Sequence, residues 1–331
     1  MLAAIKTGHM RKIIKYFMPI ILFLNTSMTF SQTPIDEFLK NQPIIDVHIH
    51  ITRGNPDNED YNKANSDIDI AKVEWMRQRF DENNIVMALG GGNLKYANMW
   101  SAANDRILSG LIFPCSKLSE HNGPCETEFF DETELRKIYQ SGNLKSMGES
   151  LFNYYGIPPT DKRLEAYWKI AAEFNIPVGI HADTGPPLET INKERNPNYN
   201  PDYANPELLK PILKKYPKLK LYLMHYGNEY SDEAIELMKL YPQIYCEISA
   251  VSMFVPKQVW EPNVKRLYEV GLGDRLMFGS DFVGTIRKNI EIIYDLDWLT
   301  DNQKRDIYYN NAAKFLNLTE TEIKKHHEMV D

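Results

Sequence analysis

Residues 160–181 read TDKRLEAYWKIAAEFNIPVGIH and contain a helix pattern followed directly by a strand pattern. Apolar side chains recur at helical spacing between Thr160 and Phe174, which predicts an amphipathic helix. The apolar run Ile176–His181 then predicts a short buried strand that ends on a histidine. A helix that leads straight into a buried strand is typical of parallel α/β sheets.

The same alternation continues on both sides of this segment. Eight short apolar or β-branched runs are predicted as strands, and each connection between them is long enough to cross over. The predicted strands are Pro43–His50, Ile85–Leu89, Ile107–Phe113, Leu144–Glu149, Ile176–His181, Leu219–His225, Gln243–Ile248 and Arg275–Asp281. Eight such units favour an α/β fold of the (β/α)8 TIM-barrel type, built as a single domain. An open doubly wound sheet is the alternative, although no phosphate-binding glycine motif follows any predicted strand.

Two further details of the fold are predicted from local patterns. The glycines at 90–92 follow the second strand and are interpreted as a tight turn at the barrel mouth. The C-terminal stretch Ile286–Leu316 is predicted to be helical throughout. Between the fifth and sixth predicted strands, the loop Thr184–Asn205 is long for such a connection, and it is either a lid or a surface excursion.

Composition restricts the class of partner. The chain has 331 residues and a formal net charge of −7, with charges of both signs interleaved. No basic stripe stands out, so nucleic-acid binding is disfavoured and a small-molecule partner is expected. The oligomeric state is left open, a homo-oligomer included.

The N-terminus is predicted to be an export signal. Basic residues from Lys6 to Lys15 precede the apolar stretch Phe17–Met28, and Thr29 and Ser31 are small residues suited to a cut after Ser31. An uncleaved anchor or a buried helix is the alternative, but the stretch is shorter than the ~20 residues of a membrane span. The expected organisation is a signal peptide at 1–31, a short segment at 32–42 and a (β/α)8 domain at 43–331, in a periplasmic or extracellular protein.

The three cysteines do not form a metal-binding motif. Cys115, Cys125 and Cys246 include no C-x-x-C pair, which argues against a cysteine-rich zinc site. In an oxidising compartment Cys115 and Cys125 could form a disulfide, or both could be free thiols. Sequence does not choose between these states, because it does not determine the distance between the two residues.

Reactive side chains stand at the carboxyl ends of the predicted strands. They are His48, His50, Glu149, His181, His225 and Asp281. In a (β/α)8 barrel these ends converge on one mouth, where active sites lie. Any of these residues alone could be an ordinary core or surface group, whereas their joint placement favours a metal site. Imidazoles with a carboxylate suit zinc, and manganese or iron are also compatible.

This arrangement predicts hydrolytic chemistry. His48 and His50 are two apart on a strand and point to the same face, so both can reach one ion. The ion would lower the pKa of water toward ~7 and polarise a carbonyl. Asp281 could bind the metal and accept the proton of the water, while His225 could stabilise an oxyanion or assist proton transfer. Asp46 could orient a ligand histidine or lie in the barrel floor.

At these residues the chain resembles the amidohydrolase superfamily, most closely its amidohydrolase 2 branch of metal-dependent (β/α)8 hydrolases and decarboxylases. The similarity extends over roughly Ile44 to Leu318. It rests on Ile45-Asp-Val-His-Ile-His50, Ile180-His-Ala-Asp183, Met224-His-Tyr-Gly227, Phe278-Gly-Ser-Asp281 and the C-terminal Tyr309-Asn-Asn-Ala-Ala-Lys-Phe-Leu316. The resemblance implies the metal ligands His48, His50, His181 and Asp281, with His225 as a catalytic or second-metal histidine.

The number of ions depends on Glu149. Met147-Gly-Glu149 is similar to the strand-four carboxylate that bridges two ions in binuclear members such as the TatD-like nucleases. Many members of the amidohydrolase 2 branch use a single ion, and one Zn²⁺ is favoured here, with two still open. If Glu149 bridges, His225 joins the second ion; otherwise Glu149 contacts substrate or supports a ligand. No lysine ends strand four, so a carbamylated-lysine site is not supported.

The expected function is a metal-dependent hydrolase that opens a C–N or C–O bond in a small amide, lactone or ester. A non-oxidative decarboxylase on the same scaffold is the alternative, and an inactive binding barrel is the third hypothesis. The residues considered for substrate contact are Arg53, Tyr154 and Glu247. Arg53 could receive an anionic substrate or be an ordinary surface arginine.

Overall fold

The computed structural model of the chain describes residues 33–51, 70–114, 129–185, 191, 193–194, 196–281 and 286–330. Within them, eight parallel strands form one sheet in the order β1 to β8. The strands are β1 Ile44–His50, β2 Ile85–Gly92, β3 Ile107–Phe113, β4 Ser146–Ser150, β5 Val178–His181, β6 Leu221–Met224, β7 Tyr245–Glu247 and β8 Leu276–Met277. The backbone N–H of Val47 donates to the carbonyl of Phe278 at 2.9 Å, which joins β1 to the residue after β8. The predicted (β/α)8 barrel is confirmed.

Helices alternate with the strands along the chain. They are α1 Pro34–Leu39, α2 Ile70–Glu82, α3 Leu94–Ala103, α4 Glu132–Gln140, α5 Phe152–Tyr155, α6 Glu165–Glu173, α7 Lys210–Lys215, α8 Ser231–Leu240, α9 Val251–Phe254, α10 Lys257–Glu269, α11 Ile286–Tyr294, α12 Asp301–Arg305, α13 Asn311–Leu316 and α14 Glu320–Glu328. None of these helices is long and apolar enough to cross a membrane, within the residues the structure describes.

Two clusters of buried side chains hold the barrel together. The larger one packs the helices against the strands and includes Phe80, Leu111, Trp168 and Leu223. The smaller one includes Phe315 on α13, whose ring lies 5.7 Å from that of Tyr222 and 4.9 Å from that of Tyr245. Helix α13 thus covers one part of the barrel, in agreement with the helical pattern near Leu316.

The glycine triplet does not form the predicted turn. Residues 90–92 continue β2, paired with both β1 and β3. A Cβ atom on Gly91 would lie 1.8 Å from the carbonyl oxygen of Gly148 on β4. The glycine is therefore required by close approach of two backbones, and a Gly-Gly-Gly pattern alone does not distinguish this cause from a turn.

The C-terminal helical stretch is divided. It forms α11, then α12, a π-helical turn at Asp306–Asn310 and α13. The break before α12 has a local cause, because the Thr300 hydroxyl accepts a hydrogen bond from the Gln303 N–H and starts a new helix. Arg53, Cys115, Cys125 and the predicted signal peptide lie outside the described residues.

Candidate metal centre

The barrel brings the predicted strand-end residues to one mouth. His48 and His50 lie on β1, Glu149 on β4 and His181 at the end of β5, as the sequence pattern indicates. His225 follows β6 directly, and Asp281 lies four residues beyond β8. All of them are buried except His50 and Asp281, which are partly exposed toward a cavity.

Two of these residues have an unusual backbone conformation. His225 has a φ of 63° and Asp281 a φ of 53°, both in the left-handed region. A non-glycine residue there is strained by about 1–3 kcal/mol and persists only where surrounding contacts hold it. One such contact is the His225 backbone N–H, which donates to Glu247 Oε1 at 3.1 Å. The turn directs each side chain to the mouth at the point where its strand has ended.

The first donor group consists of His48, His50, Glu149 and Asp281, whose ligand atoms all lie within 4.8 Å of one another. His50 Nε2 is 2.8 Å from Asp281 Oδ1 and 3.4 Å from Glu149 Oε2. His48 Nε2 is 3.2 Å from the same Asp281 oxygen and 3.8 Å from Glu149 Oε2. Two imidazole nitrogens and two carboxylates therefore face a common point.

The second donor group consists of Glu149, His181 and His225. Here Glu149 Oε1 is hydrogen-bonded to His181 Nδ1 and lies 3.0 Å from His225 Nε2. Glu149 therefore belongs to both groups and turns a different oxygen to each. His181, placed by the sequence with His48, His50 and Asp281, lies instead with Glu149 and His225.

Buried hydrogen bonds set the direction of two imidazoles. His48 Nδ1 lies 3.0 Å from Glu247 Oε1 and 3.1 Å from Ser249 Oγ. His225 Nδ1 lies 3.0 Å from the carbonyl oxygen of Ser249, so it carries a proton and donates. Both Nε2 atoms are thereby left for the donor groups. Glu247, considered from sequence as a substrate residue, is fully buried beneath His48 and His225 and is not among the described residues that line the cavity.

Asp46 connects the first strand of the barrel to the segment that follows the last strand. Its carboxyl group accepts hydrogen bonds from the Ser280 N–H at 3.0 Å, the Ser280 hydroxyl at 2.6 Å and the His48 N–H at 3.1 Å. Burial raises the pKa of Asp46 to about 7, although these bonds oppose the shift. Of the two roles considered from sequence, the contacts match the structural one, because Asp46 bonds to backbone and hydroxyl groups and to no imidazole ring of the described residues.

Opposite charges compensate each other in the two donor groups. Burial alone lowers the pKa of His48, but the carboxylates of Asp281, Glu149 and Glu247 outweigh it and raise the pKa to about 9. Burial likewise lowers the pKa of His225, and its bond to Glu149 with the nearby carboxylates raises it to about 10. Burial alone would raise the pKa of Glu149. The surrounding imidazoles of His181, His225 and His48 outweigh that effect and hold the pKa well below its usual range. The carboxylates are thus held ionised.

The residues present fit a divalent cation. Imidazole nitrogen and carboxylate oxygen are the donors that zinc and related metals take in proteins. The Nε2 atom of His48 is buried between the carboxylates of Asp281 and Glu149 and makes no hydrogen bond to the described residues. A buried polar atom without a partner is costly, and a positive ion among these carboxylates would provide one.

A cavity of about 1020 Å³ opens above the donor groups, and His50, Glu149, His181, His225 and Asp281 all line it. Tyr154, expected from sequence near the mouth, also lines it, with its ring 5.3 Å from that of His181. Burial raises the pKa of Tyr154, so its hydroxyl stays protonated at neutral pH. Tyr199 and Pro201 also line the cavity, so the loop Thr184–Asn205, which contains them, borders it.

Sequence reasoning missed several residues of the mouth. Asp183 and Asn228 line the cavity, and Asn228 Nδ2 donates to Asp183 Oδ2 at 3.0 Å. Both come two to three residues after a strand-end histidine, which is the pattern that could have identified them. Phe254, on the short helix α9, also lines the cavity, and no period-based pattern points to it.

A protein-family profile described as Amidohydrolase matches residues 45–318. The chain belongs to this amidohydrolase family. It is therefore an enzyme of the amidohydrolase type, from a metal-dependent family, and the two donor groups lie where such a centre is expected. No curated protein sequence matches the chain at a significant level.

Solved structures show the same fold at low sequence identity. An uncharacterised TIM-barrel protein from Bordetella bronchiseptica has a TM-score of 0.58 at 15% identity, covering 83% of this chain and 98% of its own. Dihydroorotase from Saccharomyces cerevisiae, in complex with 5-fluoroorotic acid, has a TM-score of 0.57 at 12% identity, covering 86% of each chain. A manganese-bound 5-carboxyvanillate decarboxylase from Novosphingobium aromaticivorans has a TM-score of 0.54 at 15% identity, covering 84% and 97%.

Proposed function

We propose that this amidohydrolase cleaves a C–N or C–O bond of a small amide, lactone or ester at a centre for two metal ions. The observation that carries the proposal is Glu149, whose two carboxylate oxygens face two separate groups of nitrogen and oxygen donors at the base of the cavity. This replaces the single-ion centre favoured from sequence, because His181 lies with Glu149 and His225, away from the other three expected ligands.

His48, His50, Asp281 and Glu149 would hold the first ion, and Glu149, His181 and His225 the second. We propose zinc, since imidazole-rich sites completed by carboxylates suit it. The similar decarboxylase structure contains manganese, so the metal bound by this chain has to be identified by measurement. When bound, such ions supply Lewis-acid chemistry, which acidifies water and polarises a carbonyl.

Asp281 is proposed to accept the proton of the attacking water. Its carboxylate lines the cavity and is anchored by His50 at 2.8 Å, so it can face both the water and the leaving group. The same residue could then return the proton to the leaving nitrogen or oxygen. His225 is proposed as a ligand, because its two ring nitrogens already face Ser249 and Glu149.

Tyr154 is proposed to stabilise the negative oxygen that develops on the substrate carbonyl. Its hydroxyl makes no hydrogen bond within the described part of the chain, and its ring lies beside His181 at the cavity wall. A neutral phenol that is already in place donates to an oxyanion without reorganisation, which is how such groups lower a barrier.

The proposal is tested by metal analysis together with an assay panel of esters, lactones, amides and aryl carboxylates. Purified protein should contain stoichiometric metal and hydrolyse at least one member of the panel. His181→Ala should lose metal and turnover, and Asp281→Asn should lower the rate strongly in a folded protein. His327→Ala, an exposed histidine on α14, is the matched control. Release of CO2 without any hydrolysis would instead support the decarboxylase alternative.

We also propose that the chain is exported and that residues 1–31 are removed. The support is the sequence pattern from Lys6 to Ser31. N-terminal sequencing of the protein recovered from outside the cytoplasm should begin at Gln32. A mature protein that retains residues 1–31 would contradict cleavage.

A further inference from the structure

The cavity is lined by two kinds of surface. Most of the apolar side chains come from one segment after β7, which contributes Ala250, Val251, Phe254, Val255 and Pro256, while Leu151 and Pro201 lie elsewhere on the wall. Polar and acidic side chains come from the connections after β5 and β6, among them Asp183, Asn228 and Glu229. The metal donors lie at the base, so a substrate bound there would contact both surfaces.

Phe254 is the most exposed of the large apolar residues in the described part of the chain, at 69% of its surface. Covering an exposed phenylalanine side chain removes apolar surface from water and so stabilises a complex. Leu240, at 62%, is similarly exposed but does not line the cavity. Phe254 is therefore distinguished by its position at the mouth as well as by its exposure.

The segment that carries Phe254 is held in place. The Phe254 N–H donates to the carbonyl of Ala250 at 2.9 Å, and the Val255 N–H donates to that of Val251 at the same distance. Val251 is buried at the inner end of the helix. A preformed apolar surface of this kind loses little conformational entropy when a ligand covers it.

Away from the metal donors, the cavity wall carries acidic side chains. Glu149 and Asp281 belong to the donor groups, whereas Asp183 and Glu229 are two further carboxylates that lie outside them. Among the described residues that line the cavity there is no lysine or arginine. Like charges brought together at short range repel, so an anionic group beside Asp183 or Glu229 is disfavoured, whereas cations bound at the donor groups would compensate an anionic group at the base.

We infer that the segment Val251–Pro256 is a subsite for an apolar, uncharged group, and that the substrates are esters, lactones or amides that carry an alkyl or aryl substituent. The inference rests on the proposed hydrolase and names its substrate class. The scissile group would reach the metal donors while the substituent packs on Phe254.

A matched pair of fluorescent dyes tests the subsite without any need for turnover. N-phenyl-1-naphthylamine is neutral, and 1-anilinonaphthalene-8-sulfonate has the same rings with one added negative charge. Titration into the metal-loaded enzyme should show the neutral dye binding at least about fivefold more tightly. Phe254→Ala should weaken the neutral dye about tenfold, Phe254→Leu should retain most of the affinity, and the control Leu240→Ala should change it less than about twofold.

Several results would overturn the inference. Equal affinity of the two dyes would refute the preference for uncharged ligands, and an unchanged affinity in Phe254→Ala would place the dye elsewhere. If Phe254→Ala changed the sedimentation coefficient from that of an oligomer to that of a monomer, the side chain would belong to a contact between copies. Metal content and melting temperature equal to wild type verify that the variant is folded. Phe254-dependent dye binding in a protein that hydrolyses nothing would contradict the proposed hydrolase and leave the subsite standing.

Discussion

At the scale of single residues, Glu149 organises the centre. It is buried near the end of β4, where Oε2 faces the imidazoles of β1, and Oε1 faces His181 at the end of β5 and His225 directly after β6. A carboxylate can do this because each of its two oxygens accepts independently. An amide at the same position would present one acceptor oxygen and one donor nitrogen, and could serve only one of the two groups.

Glu149→Gln should therefore bind fewer ions. We expect metal content after dialysis to fall from about two per chain to about one, measured by inductively coupled plasma mass spectrometry. Asp183→Asn is the control, because it removes a carboxylate from the same cavity but from neither donor group. Wild-type protein with a single ion, or a Gln variant that keeps both, would contradict the shared role of Glu149.

Tyr154→Phe removes one hydroxyl and should slow the chemical step. We expect kcat on a hydrolysed ester or lactone to fall about 10- to 100-fold, because one oxyanion donor is lost. KM should change less than about threefold, since the ring remains. Tyr199→Phe is the control, as the Tyr199 hydroxyl already donates to the carbonyl of Thr184. A change confined to KM would assign Tyr154 to ground-state binding.

At the scale of elements, the ends of the strands determine the shape of the site. Strand β2 runs through three glycines, and β4, which is separated from β2 by β3 in the sheet, carries Glu149 as its penultimate residue. Gly91 lies so close to Gly148 and Glu149 that a Cβ atom on Gly91 would meet the Gly148 carbonyl and the Glu149 backbone nitrogen. Packing of this density does not absorb an added methyl group without movement of one backbone.

Gly91→Ala should destabilise the protein and weaken metal binding together. Since the new Cβ would lie 1.8 Å from a carbonyl oxygen, we expect a loss of about 3 kcal/mol or more, measured by chemical denaturation, and reduced metal content. Gly142→Ala is the control. Gly142 has a φ of 74°, and a Cβ atom added there would meet no atom within 4 Å, so only the backbone cost of about 1 kcal/mol is expected. Equal losses in the two variants would rule out the steric cause.

At the scale of the whole molecule, the metal centre joins the first strand of the barrel to the segment after the last strand. His48 and His50 come from the first strand, and Asp281 from the segment after the last one. The same two segments are joined by the Val47 backbone bond and by Asp46 with Ser280. A cation bound to these side chains would stabilise the closed barrel, because it binds the folded chain and finds no comparable site in the unfolded one.

Removal of metal should therefore lower the melting temperature. For an ion present at about 1,000 times its Kd, linkage gives about 4 kcal/mol, which in a protein of this size corresponds to about 5 °C. Differential scanning calorimetry before and after treatment with a chelator measures the shift, and restoring zinc should reverse it. A metal-free protein with an unchanged melting temperature would show that the centre does not contribute to barrel stability.

Local sequence patterns were enough to predict the barrel and the metal-binding residues at its mouth. Alternating strand and helix patterns predict eight crossover units, and the reactive residues stand at the ends of those strands, because the carboxyl ends of a closed parallel sheet must meet. This reasoning placed His48, His50, Glu149, His181, His225 and Asp281 at one rim. Periodicity is a local property, so it can be read from neighbouring residues alone.

The grouping of those residues follows from contacts between strands that are distant in the chain. The division into two donor groups, the burial of Glu247 beneath the histidines and the role of the glycines in β2 all depend on distances between strands far apart in the chain. The position of Phe254 depends on a four-residue helix too short to leave a periodic pattern. Sequence order indicates which strands end at the mouth, but twist, register and left-handed turns at His225 and Asp281 determine which atoms face each other.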